Sequence, residues 1–375
     1  MIEGLAPCPT PPDWQLDWDG LNQEETWLQS LIDCQQDVIN HGEGDVWTHT
    51  RMVCESLIAN PASRILPEDE RQIVFNAALF HDIAKPMCRK EEDDGHISFR
   101  GHSRRGAIET RRILWERGVP LSIREQICSM IRHHLVPFWL IEREDNRRLT
   151  LEVAETTRCD HLALLAEADA RGRICQDLQR LLDNIALYVE QCRQEGVWSG
   201  PYPFESDHAR FLYFQRASAA PEYVPYEDFA CEVIMMSGIP GVGKDHWIEE
   251  NGEGWPVISL DGLREEMDID PSDNQGAIVN RARELAREHL RAKRSFIWNA
   301  TNLSRQLRGQ SIQLFQSYHA RIRIVYLEVT PERQREQNRQ RAKAVPQKVI
   351  DKLLRRWEMP DLTEAHELIL YEREA

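Results

Sequence analysis

The segment Cys231-Glu-Val-Ile-Met-Met-Ser-Gly-Ile-Pro-Gly-Val-Gly-Lys-Asp-His-Trp247 decides how the chain divides. Val233–Met236 is a short apolar run, partly β-branched and bounded by Ser237-Gly238, which predicts a buried strand. The loop from Gly238 to Lys244 has phosphate-loop spacing: a glycine, four residues, then Gly-Lys. Its glycines let successive N–H groups turn inward toward phosphate oxygens. Lys244 can reach the β- and γ-phosphates, and the next helix adds its positive N-terminal end. Ser237, Gly238, Gly241, Gly243, Lys244, Asp245 and His246 are therefore the expected contacts for ATP, or another NTP, with Mg2+. Asp245 stands where Ser or Thr usually holds the magnesium. A carboxylate there can ligate or orient the metal, but it adds negative charge beside the phosphates.

The 375 residues exceed what one core normally organises, so two domains are expected. Hydrophobic residues make up 41% of the chain, which excludes a disordered protein. Nine scattered cysteines form no Cys-x-x-Cys pair, the start MIEGLAPCPTPPDW has no signal-peptide pattern, and no run reaches membrane-span length. These features predict a cytoplasmic protein with reduced thiols and no membrane partner. The net charge is −16, yet Arg281 to Arg356 carries 19 Lys/Arg against 6 Asp/Glu, a local +13. That stretch is either an anion-binding face or a set of solvated helices.

Residues 1–20 are Pro- and Asp-rich and predict either a poorly ordered arm or an edge segment. From 21 to 192 apolar residues recur at helical spacing, as in Ile123, Ile127, Met130 and Ile131, and predict an all-helical domain. Within it stand His49, His81-Asp82, His102, His133-His134 and Asp169. Neutral imidazoles and carboxylates suit a borderline divalent metal. Adjacent His81 and Asp82 point in different directions, so they share a metal only if other helices contribute.

The order His, His-Asp, His, His-His, Asp resembles the HD phosphohydrolase superfamily. With GHS, RHH and EADARGR it is most similar to the HD domain appended to bacterial CCA-adding tRNA nucleotidyltransferases. The resemblance implies one metal on His49, His81, Asp82 and Asp169. His102, His133 and His134 would hold a second metal or the scissile phosphate. Asp45 matches an extra carboxylate of some relatives, and Lys85 matches a phosphate-binding lysine. Arg171 and Arg173 are either phosphate contacts or surface salt-bridge residues. One or two transition metals (Mn, Ni or Co) would activate water for phosphoester hydrolysis.

Residues 193–228 form a connector rich in Pro, Gly, Ser and aromatics. Tyr202, Phe204, Tyr213 and Tyr223 in it suit either packing between domains or stacking on bases. From 229 to 375, the strand-like runs Val233–Met236, Pro256–Leu260, Ser295–Asn299 and Arg321–Val329 alternate with helical stretches. This predicts an α/β domain with a parallel sheet. Asp261, at a strand end, can accept a hydroxyl proton, and Arg264 can hold a neighbouring phosphate. Asn299 and Asn302 follow the next strand and are expected to bind substrate. Arg339, backed by Arg341, lies on an Arg-rich segment that reads as a lid over the transferring phosphoryl group.

The phosphate loop, Asp261-x-x-Arg264, Asn-Ala-Thr-Asn302 and the Asn338-Arg-x-Arg341 lid resemble the P-loop polynucleotide 5′-kinases. The whole chain resembles the bacterial HD-domain polynucleotide kinases. That implies a bifunctional end-healing enzyme: it phosphorylates 5′-OH ends of RNA or DNA and removes 2′,3′-cyclic or 2′-phosphate, with a nucleic-acid ligase as downstream partner. The rivals are an HD nucleotidase fused to a small-molecule kinase, and an NTP-switched binding module with a degenerate metal site.

Overall fold

The computed structural model describes residues 1–24, 27–269, 276–341 and 343–373. The chain forms two compact units, Met1–Tyr202 and Pro203–Ala375.

The first unit is a helical bundle. Its principal helices are α1 (Val46–Ala59), α2 (Glu68–Phe80), α3 (His102–Glu116), α4 (Leu121–His133), α5 (Cys159–Arg171) and α6 (Leu178–Gln194). In α2 every residue from Arg71 to Phe80 is buried. A helix buried around its circumference belongs in the centre of a bundle, and α1, α4 and α5 pack around it. The small residues Ala77 and Ala78 let the neighbours approach the end of α2 that delivers His81 and Asp82.

Two expectations for this unit are corrected. It is not wholly helical, because Lys90–Glu91 and Ile97–Ser98 pair as a short antiparallel ribbon ahead of His102. Nor is the start of the chain a loose arm. Ala6 is buried, its N–H donates to Asn76 Oδ1 (3.0 Å), and Asn76 Nδ2 donates back to the Ala6 carbonyl (3.0 Å). Two buried amides in α2, Gln72 and Asn76, are thereby satisfied by main chain that composition alone makes look solvated.

The second unit has a five-stranded parallel sheet. Its elements are α7 (Asp207–Gln215), β1 (Cys231–Ser237), α8 (Lys244–Asn251), β2 (Val257–Ser259), α9 (Leu260–Glu266), α10 (Gly276–Arg291), β3 (Phe296–Asn299), α11 (Arg305–Gln316), β4 (Ala320–Val329), α12 (Pro331–Gln340), α13 (Gln347–Leu354) and β5 (Glu367–Arg373). Strand order is β2-β3-β1-β4-β5. β1 is central, pairing Val233 with Phe296 on one side and with Ile322 on the other. Val233 to Met236 are buried on both faces, as a covered parallel strand requires.

Four strands match the expected runs, and the fifth, β5, was not expected. The connector expected over 193–228 is partly core here: α7 contributes Phe211 and Leu212 to the cluster around β1 and β4. Ser206 caps α7 by accepting from Ala209 N–H (3.1 Å). Tyr213 is buried in the same helix.

Candidate functional site

In the first unit, five separate segments bring their functional side chains together. His49 comes from the first turn of α1, His81 and Asp82 from the end of α2, His102 from the start of α3, His134 from the end of α4, and Asp169 from the last turn of α5. Three of these are helix C-terminal ends, whose partial negative charge favours a cation.

Two ligand groups result from these residues, and His41, Glu43 and His49 form a third. His49, His81 and Asp169 offer donor atoms within 4.8 Å of one another, as do Asp82, His102 and His134. Asp82 joins them: Oδ2 is 3.2 Å from His81 Nε2, and Oδ1 is 3.3 Å from His102 Nε2. The other ring nitrogens are already used. Nδ1 of His81, His102 and His134 lies 2.7, 2.7 and 2.8 Å from the carbonyls of Ala78, Phe99 and Ile131. A carbonyl can only accept, so each ring carries its proton on Nδ1 and turns the Nε2 lone pair inward. His49 Nε2 is 3.1 Å from Asp169 Oδ1, and its Nδ1 faces Glu43 Oε1 at 3.0 Å.

The electrostatics suit divalent cations. Burial alone would push Asp82 toward the neutral acid, but His81, Lys85 and His102 hold it well below the usual carboxylate range. Asp169 is held down against burial by Arg173 and His49. Burial keeps His134 neutral, lowering it to about 3, and lowers His102. Neither oxygen of the buried Asp82 receives a hydrogen bond of acceptable geometry, although Lys85 Nζ stands 2.7 Å from Oδ2. A buried carboxylate among three Nε2 lone pairs, with His49 Nε2 3.6 Å from its Oδ2, is a donor set that suits a divalent metal. A bound divalent ion would lower the pKa of a water and neutralise phosphate oxygens.

Two expectations change here, and one left open is resolved. His133 does not join the cluster; one residue around the helix from His134, it faces Thr156 Oγ1 at 3.4 Å, so the second group is completed by Asp82 instead. Asp45 is not a ligand, because it caps α1 by accepting from Thr48 N–H (2.8 Å) and Thr48 Oγ1 (2.7 Å). Arg171 pairs with Glu167 at the surface, whereas Arg173 grips both oxygens of Asp169. Lys85 lines a cleft of about 280 Å³ leading to Asp82 and His102, and donates to Gln36 Oε1 (2.6 Å).

Glu43 was missed. It bridges His49 Nδ1 and His41 Nδ1 (2.8 Å), and these bonds pull its carboxyl down against burial. Its only sequence signal is a carboxylate six residues ahead of His49.

In the second unit, the loop leaves the carboxyl end of β1. Gly238 has φ +144°, and a Cβ there would stand 2.6 Å from the Leu327 carbonyl. Gly241, at φ +86°, meets α12 at Gln334 and Asn338, and Gln334 Nε2 donates to the Pro240 carbonyl (2.7 Å). Lys244 Nζ donates to the carbonyls of Gly238 (3.0 Å) and Ile239 (3.1 Å), and burial lowers its ammonium to about 8. The charges of Asp245 and Asp261 oppose that shift, and the charge of Arg341 adds to it.

The remaining predicted residues divide. Asp261 is exposed, paired with Arg264, and 3.6 Å from Arg341 Nη2. Arg341, not Arg339, is thus the arginine that reaches Asp261; Arg339 is exposed on α12. Asn299 Nδ2 donates to Asp245 Oδ1 (2.8 Å), fixing the carboxylate that stands in for the usual hydroxyl. Asn302 is buried and donates to the Met236 carbonyl (2.7 Å), while Ser237 Oγ donates to the Asn302 carbonyl (3.2 Å). Those two brace the loop's base. His246 turns outward along α8 to Glu250 (3.2 Å).

Comparison with known proteins agrees with this geometry. Residues 46–165 match a family model described as an HD domain, and residues 233–360 match one described as an AAA domain. The chain joins an HD hydrolase domain to a P-loop, kinase-like domain. The first implies a divalent metal, the second a nucleotide and Mg2+. The chain is similar to bifunctional uridylyltransferase/uridylyl-removing enzymes of Bordetella pertussis and Bordetella bronchiseptica, at 32% identity over 110 residues. Those residues are 28% of this chain, which spans about 11% of those relatives' length. A solved structure from Chloroflexus aurantiacus, described as a candidate kinase, is similar at 17% identity and TM-score 0.32, covering 39% of this chain and 86% of that one. No helix among the described residues is long and apolar enough to cross a membrane.

Proposed function

We propose that the chain heals broken nucleic-acid ends, phosphorylating a 5′-OH from ATP in the second unit and hydrolysing a 2′,3′-cyclic or 2′-phosphate in the first. The observation that carries this is Asp261: an exposed carboxylate in the first turn of α9, just past the end of β2, gripped by Arg264 and reached by Arg341. Asp261 takes the proton of the acceptor hydroxyl as its oxygen attacks the γ-phosphorus and ADP leaves. Arg264 holds the phosphate next to that hydroxyl, and Lys244 and Arg341 offset charge on the transferring group. An acceptor side this open accommodates a polymer end, and the basic stretch from 281 to 356 can follow its backbone. In the first unit, Lys85 and Arg173 line the cleft where a phosphate would meet the metal cluster.

The overall charge of −16 favours the second reading, an HD nucleotidase joined to a small-molecule kinase. One experiment separates them. An RNA strand carrying a 5′-OH and a 2′,3′-cyclic phosphate is incubated with ATP and Mg2+, then with Mn2+, Ni2+ or Co2+. Wild type is expected to change both ends, Asp82→Ala only the 5′ end, and Lys244→Ala only the other. If wild type changes neither end under any metal, the polynucleotide reading falls and small hydroxyl compounds take its place.

A further inference from the structure

The second unit holds another cavity, of about 540 Å³, formed by α7, the segment 216–229, the end of α11 and the start of β4. It lies beside Ala320, the first residue of β4, at the amino ends of the strands. The phosphate loop leaves their carboxyl ends, so the seven residues of β1 separate the two, a distance of about 20 Å. A nucleotide triphosphate on the loop does not reach this far.

The walls are rich in flat rings. His208 and His366 stack with centroids 5.2 Å apart, Phe229 stands edge-on to His208 at 4.8 Å, and Tyr223 and Tyr226 form the rim. Tyr226 is 85% exposed and Tyr223 54%, with Val224 exposed between them. Aromatic rings held at the lip of a cavity leave apolar surface that a ligand would cover.

The histidines have fixed proton positions. Ile322 N–H donates to His366 Nδ1 (3.0 Å), so His366 carries its proton on Nε2. That proton goes to His208 Nδ1, 3.0 Å away, so His208 in turn carries its own on Nε2. Both rings are neutral in this chain of bonds; burial lowers His208 and takes His366 to about 3. Arg210 holds the wall in place by donating to the carbonyls of Leu362 (3.2 Å) and His366 (2.8 Å). Nε2–H of His208 is taken by no described residue. Gln313 and Gln316 add amide donors and acceptors to the lining.

Stacking surface, a neutral N–H donor and the amides of Gln313 and Gln316 match the face and edge of a nucleobase; Arg216 and Asp228 also line the cavity. We propose that this cavity binds a nucleobase, presented by a nucleoside or by single-stranded nucleic acid, at a site separate from the phosphate loop. The proposal does not depend on the end-healing reading.

Binding to the full-length chain is measured by calorimetry and saturation-transfer NMR. The probes are adenosine, guanosine, cytidine and uridine, with ribose and inorganic phosphate as controls, and a single-stranded oligonucleotide blocked at both ends. At least one nucleoside, or the oligonucleotide, is expected to bind wild type and Lys244→Ala equally. Tyr226→Ala removes a ring that supports no core and is expected to weaken that binding about tenfold. His208→Phe keeps a ring but loses the N–H, and is expected to weaken it about fivefold. Loss confined to nucleosides identifies a free ligand; loss extending to the oligonucleotide identifies a base of the strand. The proposal is overturned if no probe binds, if ribose or phosphate competes, or if binding disappears in Lys244→Ala and survives Tyr226→Ala.

Discussion

In the metal cluster Asp82 is 2% exposed and its neighbours' Nε2 atoms already stand within 3.2 to 3.9 Å of its oxygens. In the second unit Asp261 has a side chain 67% exposed and, among the described residues, pairs with Arg264 and Arg341. The first site is assembled by folding. The second is completed by its ligands. Burying several carboxylates and imidazoles is costly unless a cation and second-layer hydrogen bonds compensate. An exposed ion pair costs little to form and little to break.

That contrast is most severely tested at Asp82. Asp82→Asn should lower phosphoester hydrolysis by at least about 10³-fold and remove bound metal, read by elemental analysis, while ATP-dependent phosphorylation stays within twofold. If hydrolysis persisted, the buried cluster would not be a reaction centre. Asp261→Asn should cost about 10²–10³-fold in phosphoryl transfer with little change in the nucleotide's Kd, since proton acceptance is lost and the loop is untouched. Equal losses in kcat and affinity would make it a structural residue.

Smaller effects sharpen the comparison. Glu43→Gln keeps the shape but weakens the hold on His49, and metal affinity should fall about 10–100-fold by competition with a chelator. An unchanged affinity would mean that the carbonyl contacts alone orient the ligands. The phosphate loop should show a proton linkage that follows from Lys244. Burial lowers its ammonium to about 8, and bound phosphates favour the charged form. Above about pH 8 the ligand-free protein has lost that proton and must take one up to bind ATP. Affinity should therefore be level below pH 8 and then fall, at most about tenfold per pH unit. A flat profile from pH 7 to 10 would exclude it, and Lys244→Arg should flatten the slope.

The two sites were legible to different degrees, for the same reason that they differ. The phosphate loop is a local object: its strand, glycines and lysine occupy consecutive positions, and spacing alone places them. Asp261 and Arg264 are likewise three residues apart and pair within one helix. The metal cluster was legible in its membership but not in its partition. Adjacent His133 and His134 are equivalent as letters, and only the packing of α4 sends one to Asp82 and the other to Thr156. Among the arginines of the expected lid, it is the chain's exit from α12 that carries Arg341 toward Asp261 and leaves Arg339 outside.

The sequence by itself determined that a helical segment bearing His and Asp precedes an α/β segment with a phosphate loop, because apolar period and loop spacing are local properties. Tertiary structure alone decided that Asp82 joins two ligand groups, that Glu43 stands behind His49, that the first residues pack on α2, and that α7 closes an aromatic cavity against His366. Each of these depends on how separate elements pack against one another. No periodicity encodes such a juxtaposition; it exists only once the core has brought the side chains together.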